Sequence, residues 1–143
     1  MDKIDLAPKS SATGIVKDSK DLDQHFADIE HAYESTLEGW IRALDLRDGE
    51  TVGHSRRVVE LTVALSAIFG ISAEELVHIR RGALLHDIGK MALPDSVLLK
   101  PGPLDANERE QMHLHPWYAY QMLSGVDFLR PALDIPYGHH ERW

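Results

Sequence analysis

Apolar residues in this chain recur at helical steps. Phe26, Ile29, Tyr33, Leu37, Trp40 and Leu44 follow one another at intervals of 3, 4, 4, 3 and 4, a seam with a period near 3.5 residues. No stretch alternates apolar and polar residues with the period of a strand, and no internal repeat is visible. The pattern predicts an all-α fold. Such a seam more often packs onto its own domain than onto a second molecule. A homodimer through the 26–44 helix is the other outcome that it allows.

Local signals divide the chain. Residues 1–20 mix Pro, Gly, Ser and Lys without periodicity and are expected to form a flexible tail, with a linker or packing helix over 21–47. Arg47-Asp48-Gly49 breaks the pattern. A second helix is expected from Glu50 to Phe69, burying Val58, Leu61, Leu65 and Ile68 and stopping at Gly70. Ser72 and Glu75 fit a capping box. They would open a third helix that turns Leu76, Ile79, Ala83 and Leu84 inward, reaches His86-Asp87 and ends with the help of Gly89. Three prolines make residues 91–105 a connector with one short helical turn. Asp105 and Glu108 form another cap-like start, leading through Met112 to His115. Pro116 suits the opening of a helix that runs to about Ser124. A last helix should run from Asp127 to His139-His140.

Composition excludes several classes. The chain has 143 residues, 43% of them hydrophobic, enough for one domain with a core. Its formal net charge of −8 argues against a duplex nucleic acid partner held on a basic face. No apolar run reaches the roughly 18 residues of a membrane span, and the N-terminus has no signal-peptide core. Zero cysteines remove disulfides, thiolate metal sites and cysteine nucleophiles. The expectation is a soluble cytoplasmic domain. Nine histidines stand out.

Glu50 and His54, four apart, share one helix face and could share a metal, although such pairs are usually solvated surface contacts. His86 and Asp87 diverge by about 100° on a helix, so they meet one ion only at an irregular end, which Gly89 supplies. Lys90 lies one turn beyond, placed to contact an anion at the same centre. For the dipeptide alone, capping and packing is the commoner role. Of His113 and His115 only one can face inward, and the neighbouring Pro116 favours His115. His139 and His140 can grip one ion from two directions or stand solvated. His25, His31 and His78 have no evident partner and are assigned to surface or packing. The set says more than its members: one Glu, five His and one Asp fall at helix beginnings or ends. Helical bundles build two-metal sites from such positions. Nitrogen and oxygen donors favour Fe, Mn, Ni, Co or Zn over Cu(I) or an iron–sulfur cluster. Mg is compatible, and Fe or Mn heads the expectation. Seven ligands are too many for one ion with an open position, so two or three divalent ions with a bridging carboxylate are expected.

The order His54…His86-Asp87 resembles the HD superfamily of metal-dependent phosphohydrolases. The longer string HDIGKMALPDSVLLKPGPLDANEREQMHLHP, with LEGWIRALDLRDGETVGHS before it and HHERW after it, resembles the HD-GYP subfamily, which hydrolyses cyclic di-GMP. The resemblance implies an HD-domain helical bundle over residues 48–143. It also implies metal ligands at His54, His86, Asp87, His115, His139 and His140, with Asp87 bridging and Lys90 on substrate phosphate. Glu50 matches a subgroup that adds a carboxylate and can hold a third ion. The family continues with Asp-Gly-x-Gly-Tyr-Pro where this sequence stops at Trp143, so the expectation is a catalytic domain incomplete at its C-terminus. The implied activity is phosphodiester hydrolysis of cyclic di-GMP to the linear dinucleotide, with further cleavage to GMP where a third ion is held. The alternatives are a non-catalytic interaction module derived from such a domain and a generic HD nucleotide phosphohydrolase.

Overall fold

The computed structural model describes residues 19–49 and 53–142, and every regular element among them is helical. Seven α-helices follow in order: α1 (Ser19–Asp48), α2 (His54–Ile68), α3 (Ala73–Leu84), α4 (Asp95–Leu98), α5 (Ala106–Met112), α6 (His115–Leu123) and α7 (Asp134–Gly138). Two 3-10 segments, Ile88–Ala92 and Asp127–Ala132, stand before α4 and before α7. The chain divides into two compact units, Met1–Tyr33 and Glu34–Trp143, so that α1 starts in the first and ends in the second. No described helix is long and apolar enough to cross a membrane.

In the first unit Phe26, Ile29 and Tyr33 are exposed. In the second, the same helix buries Leu37, Ile41 and Leu44. Leu37 and Ile41 join Leu84, Leu85, Ile88, Ala119, Leu123 and Leu129 in one cluster. Leu85 and Leu129 are fully inaccessible, and burying each such side chain stabilises the fold by roughly 1.5–3 kcal/mol. Within the second unit the seam buries Leu37 and Leu44 and leaves Trp40 outside.

The boundaries follow local chemistry. Gly70 takes φ +72 after α2, its N–H bonds the Ala67 carbonyl, and the Ile71 N–H reaches back to Ser66. This is the Schellman arrangement that glycine permits. Ser72 accepts from the Glu75 N–H at 3.2 Å while the Glu75 carboxylate accepts from the Ser72 N–H at 3.3 Å. Asp105 and Glu108 repeat this box at 2.9 and 2.7 Å. Both starts fall where the sequence predicts them.

Three expectations need correction. The inner face of α2 carries Ser55, Val59 and Ser66, whereas Leu61, Leu65 and Ile68 are exposed. Periodicity identified an apolar face but not which way it turns. Ser55 and Ser66 are the buried residues of α2, and Val59 packs against the core cluster. The last expected helix is two elements, because Pro131 and Pro136 lack the N–H that a continuous α-helix needs. Gly89 does not end α3 through a left-handed backbone. It allows close approach: a Cβ there would lie 1.8 Å from the His115 carbonyl oxygen and 2.6 Å from the Ala119 nitrogen. The 3-10 segment Ile88–Ala92 thus lies backbone to backbone on the first turns of α6. The 1–20 tail lies outside the described residues apart from Ser19 and Lys20, which open α1.

Candidate metal centre

Each histidine of the site stands at a helix boundary, where the backbone can tie down its ring. His86 follows the end of α3, and its Nδ1 lies 2.9 Å from the Ala83 carbonyl. His115 opens α6 with Nδ1 2.7 Å from the Met112 carbonyl. His139 follows α7 with Nδ1 3.0 Å from the Pro136 carbonyl. A carbonyl oxygen only accepts, so each Nδ1 carries a proton, which leaves each Nε2 to present a lone pair to a cation or, in its place, a proton to Asp87. The bond runs back three residues in all three cases, a device that fixes both ring orientation and tautomer.

These lone pairs converge. His115 Nε2 is 3.1 Å from His139 Nε2 and 3.2 Å from His140 Nε2. Asp87 faces both sides of the cluster: its Oδ1 is 3.3 Å from His115 Nε2 and 3.6 Å from His139 Nε2, while its Oδ2 is 3.2 Å from His86 Nε2. The donors form two groups, His54–His86–Asp87 and His115–His139–His140. His54, the first residue of α2, packs its ring 5.9 Å from that of His86, and the His86 and His139 rings are 5.3 Å apart.

Lone pairs aimed at one another repel unless a proton or a cation lies between them. Donors each about 2.1 Å from a first-row ion in tetrahedral or octahedral geometry lie about 3.0–3.4 Å from each other. The nitrogen–nitrogen and nearest nitrogen–oxygen separations fall in that range, and the carbonyl-bound Nδ1 atoms supply the outer hydrogen bonds that metal-ligating histidines use. The donor set fits a metal centre with two clustered His/Asp sites.

Electrostatics agree. Burial alone would raise the Asp87 carboxyl, but hydrogen bonds from His115, His139 and His86 and the charge on His86 hold it far below the ordinary carboxylate range. It stays an anion. Burial pushes His86 down, but the Asp87 hydrogen bond and charge and the Ala83 carbonyl outweigh it, and its proton affinity rises. A site that attracts a proton so strongly attracts a cation for the same reason, in competition with it. His140 is shifted down by burial and then by the neighbouring His139 and His115.

Lys90 Nζ lies 2.9 Å from Asp87 Oδ2 and 3.7 Å from Asp48 Oδ2, and its side chain is largely buried. Asp48 was visible in the sequence only as part of a helix break. No local spacing marks it, because its partner is 42 residues away. Of the predicted site residues, His54, His86, Asp87, Lys90, His115, His139 and His140 lie together, and Glu50 lies outside the described residues. His113 is exposed, as are His25 and His31, while His78 is half-buried.

Comparison with known proteins adds the lineage of this arrangement. The model of a family described as HD domain matches residues 39–143. The cyclic di-GMP phosphodiesterase response regulator RpfG of Xanthomonas campestris is 39% identical over 118 residues, 81% of this chain and 31% of that protein. A cyclic di-GMP phosphodiesterase of Thermotoga maritima is 35% identical over 126 residues, 87% of this chain and 34% of its own length. The 3'3'-cGAMP-specific phosphodiesterase 2 of Vibrio cholerae is 34% identical over 118 residues, 81% and 23%. The chain spans about a third or less of the length of these relatives.

Proposed function

The chain belongs to the HD-domain phosphohydrolases, in their HD-GYP branch, and from that membership we propose that it is the metal-binding part of a phosphodiesterase that opens cyclic di-GMP. The observation that carries this reading is the two-sided position of Asp87, with one oxygen toward each histidine group. His54, His86 and Asp87 would hold one divalent ion and His115, His139 and His140 a second, with Asp87 shared between them. Fe or Mn suits these nitrogen and oxygen donors, and Glu50 is the candidate for a third ion. Such ions supply Lewis acidity toward phosphate oxygens and acidify a bound water toward neutral pH.

The chain's own residues do the rest. Three Nδ1–H groups anchored on carbonyls fix the tautomer of the imidazoles and aim them inward. Asp87 remains ionised through the pH range in which phosphodiesters are handled. Lys90, pinned between Asp87 and Asp48, offers a fixed cation to an equatorial or departing phosphate oxygen. Its positive charge, with that of the ions, makes the site attractive to a dianion although the chain carries −8 overall. The names of the relatives support a cyclic dinucleotide over a nucleoside monophosphate and leave cyclic di-GMP and 3'3'-cGAMP to compete.

The test is turnover of both cyclic dinucleotides by the Mn2+- or Fe2+-loaded chain, with products separated by chromatography. Faster opening of cyclic di-GMP to the linear dinucleotide and GMP supports the reading. A chain that holds its metal but binds neither compound argues for an interaction module instead.

A further inference from the structure

Arg47, in the last turn of α1, reaches across to the segment that carries Lys90. Its Nη1 donates to the Lys90 carbonyl at 3.5 Å and to the Met91 carbonyl; its Nη2 donates to the Leu93 carbonyl at 2.6 Å and to Asp95 Oδ1 at 2.9 Å. Those carbonyls belong to the C-terminal end of the 3-10 segment Ile88–Ala92 and the residue that caps it. The end of a helix leaves its last carbonyls without intrahelical donors, and a 3-10 turn of five residues has little strength of its own. A planar guanidinium, with donors fixed on two separated terminal nitrogens, can span several of them together; the donors of an ammonium radiate from one nitrogen and reach less far. The same segment is also fixed through Gly89, which lies on the His115 backbone. Lys90 therefore sits on a short turn held at two points. Next to Arg47, Asp48 of the same helical turn also faces the Lys90 ammonium.

We propose that Arg47 is a positioning residue: it caps the Lys90 turn, staples the stretch from Lys90 to Asp95 to the end of α1, and so holds the Lys90 cation at Asp87. The proposal rests on the phosphodiesterase reading for the use made of Lys90, but not for the clamp itself. Arg47 contributes no metal donor. Its loss leaves both ligand groups in place and loosens only the group that meets substrate phosphate.

The experiment uses the full chain loaded with Mn2+, with cyclic di-GMP as the probe. In Arg47→Ala, Mn2+ stoichiometry stays at the parent value. The Lys90 and Leu93 amides, bonded to Asp87 and Lys90 carbonyls, exchange about tenfold faster, as expected when charge-assisted bonds are lost. The dissociation constant for cyclic di-GMP rises about tenfold in the parent background and less than about twofold in Lys90→Ala, because the two residues act as one unit. Arg47→Lys restores little of either effect, since charge without the fork does not cap the turn. Asp95→Ala removes one of the contacts from an exposed position and gives the same pattern at smaller size, whether or not Arg47→Ala folds. Unchanged amide exchange, or an equal loss of binding with and without Lys90, overturns the proposal. A parent chain that binds Mn2+ but no cyclic di-GMP overturns the substrate reading, and amide exchange then decides the clamp alone.

Discussion

Replacing Gly89 by alanine measures how closely the turn bearing Asp87 and Lys90 must seat on α6. The new methyl would stand 1.8 Å from the His115 carbonyl oxygen and 2.6 Å from the Ala119 nitrogen. Both obstacles are backbone, so no rotamer change relieves them, and the turn must retreat by on the order of 1 Å. Overpacking of this kind costs about 1–3 kcal/mol. Asp87 lies two residues before Gly89, and the retreat carries its Oδ1 away from His115 and His139, now 3.3 and 3.6 Å distant. Metal constellations tolerate about 0.5 Å of misplacement. The expected result is a loss of about 2 kcal/mol in urea unfolding of the metal-free chain. Mn2+ affinity should fall at least about tenfold, the equivalent of about 1.4 kcal/mol. Gly39→Ala is the contrast: Gly39 is inside α1 with nothing within 4 Å of an added Cβ, so alanine should stabilise by about 0.5–1 kcal/mol. Parent-like stability and Mn2+ affinity in Gly89→Ala would refute the close-approach explanation.

Two further outcomes follow from other parts of the molecule. Burial alone would raise the Glu34 carboxyl, but hydrogen bonds and charge from Arg81 and Arg80 outweigh it and hold it below the usual range. Its stabilisation is complete above the unfolded-state pKa and is lost as pH falls through the lower folded-state value. Glu34→Gln should therefore cost about 1 kcal/mol at neutral pH and progressively less in acid; denaturation midpoints compared across pH would expose a cost that does not shrink. His140→Ala removes one exposed donor from the second group only, so the bound-metal count should drop while the His54–His86–Asp87 group keeps its ion. Loss of all metal from that variant would show that the two groups do not load independently.

The fold was legible where its determinants are local. The boxes at Ser72 and Asp105, the stop at Gly70 and the start at Pro116 each depend on atoms within a few residues, and they stand where the sequence predicts them. The orientation of α2 was not legible. Leu61, Leu65 and Ile68 satisfy the helical period as well as any core face, and only the packing of Ser55, Val59 and Ser66 against the rest of the bundle decides which side turns in. The clustered histidines could be suspected from their places at helix ends, but the tautomer-fixing bonds to Ala83, Met112 and Pro136 needed coordinates. Arg47 and Asp48 read as a helix break because their partners lie more than 40 residues downstream. Gly89 read as a helix stop because sequence does not distinguish a glycine needed for conformation from one needed for clearance.

Electron paramagnetic resonance of the Mn2+-loaded chain, with its metal content measured on the same sample, bears most directly on the idea that distant histidines and Asp87 enclose a polynuclear centre. At least two ions per chain with a spin-coupled signal are expected, and Asp87→Ala should abolish the coupling and most of the uptake. No retained ion, or isolated uncoupled Mn2+ that is indifferent to Asp87→Ala, would contradict it.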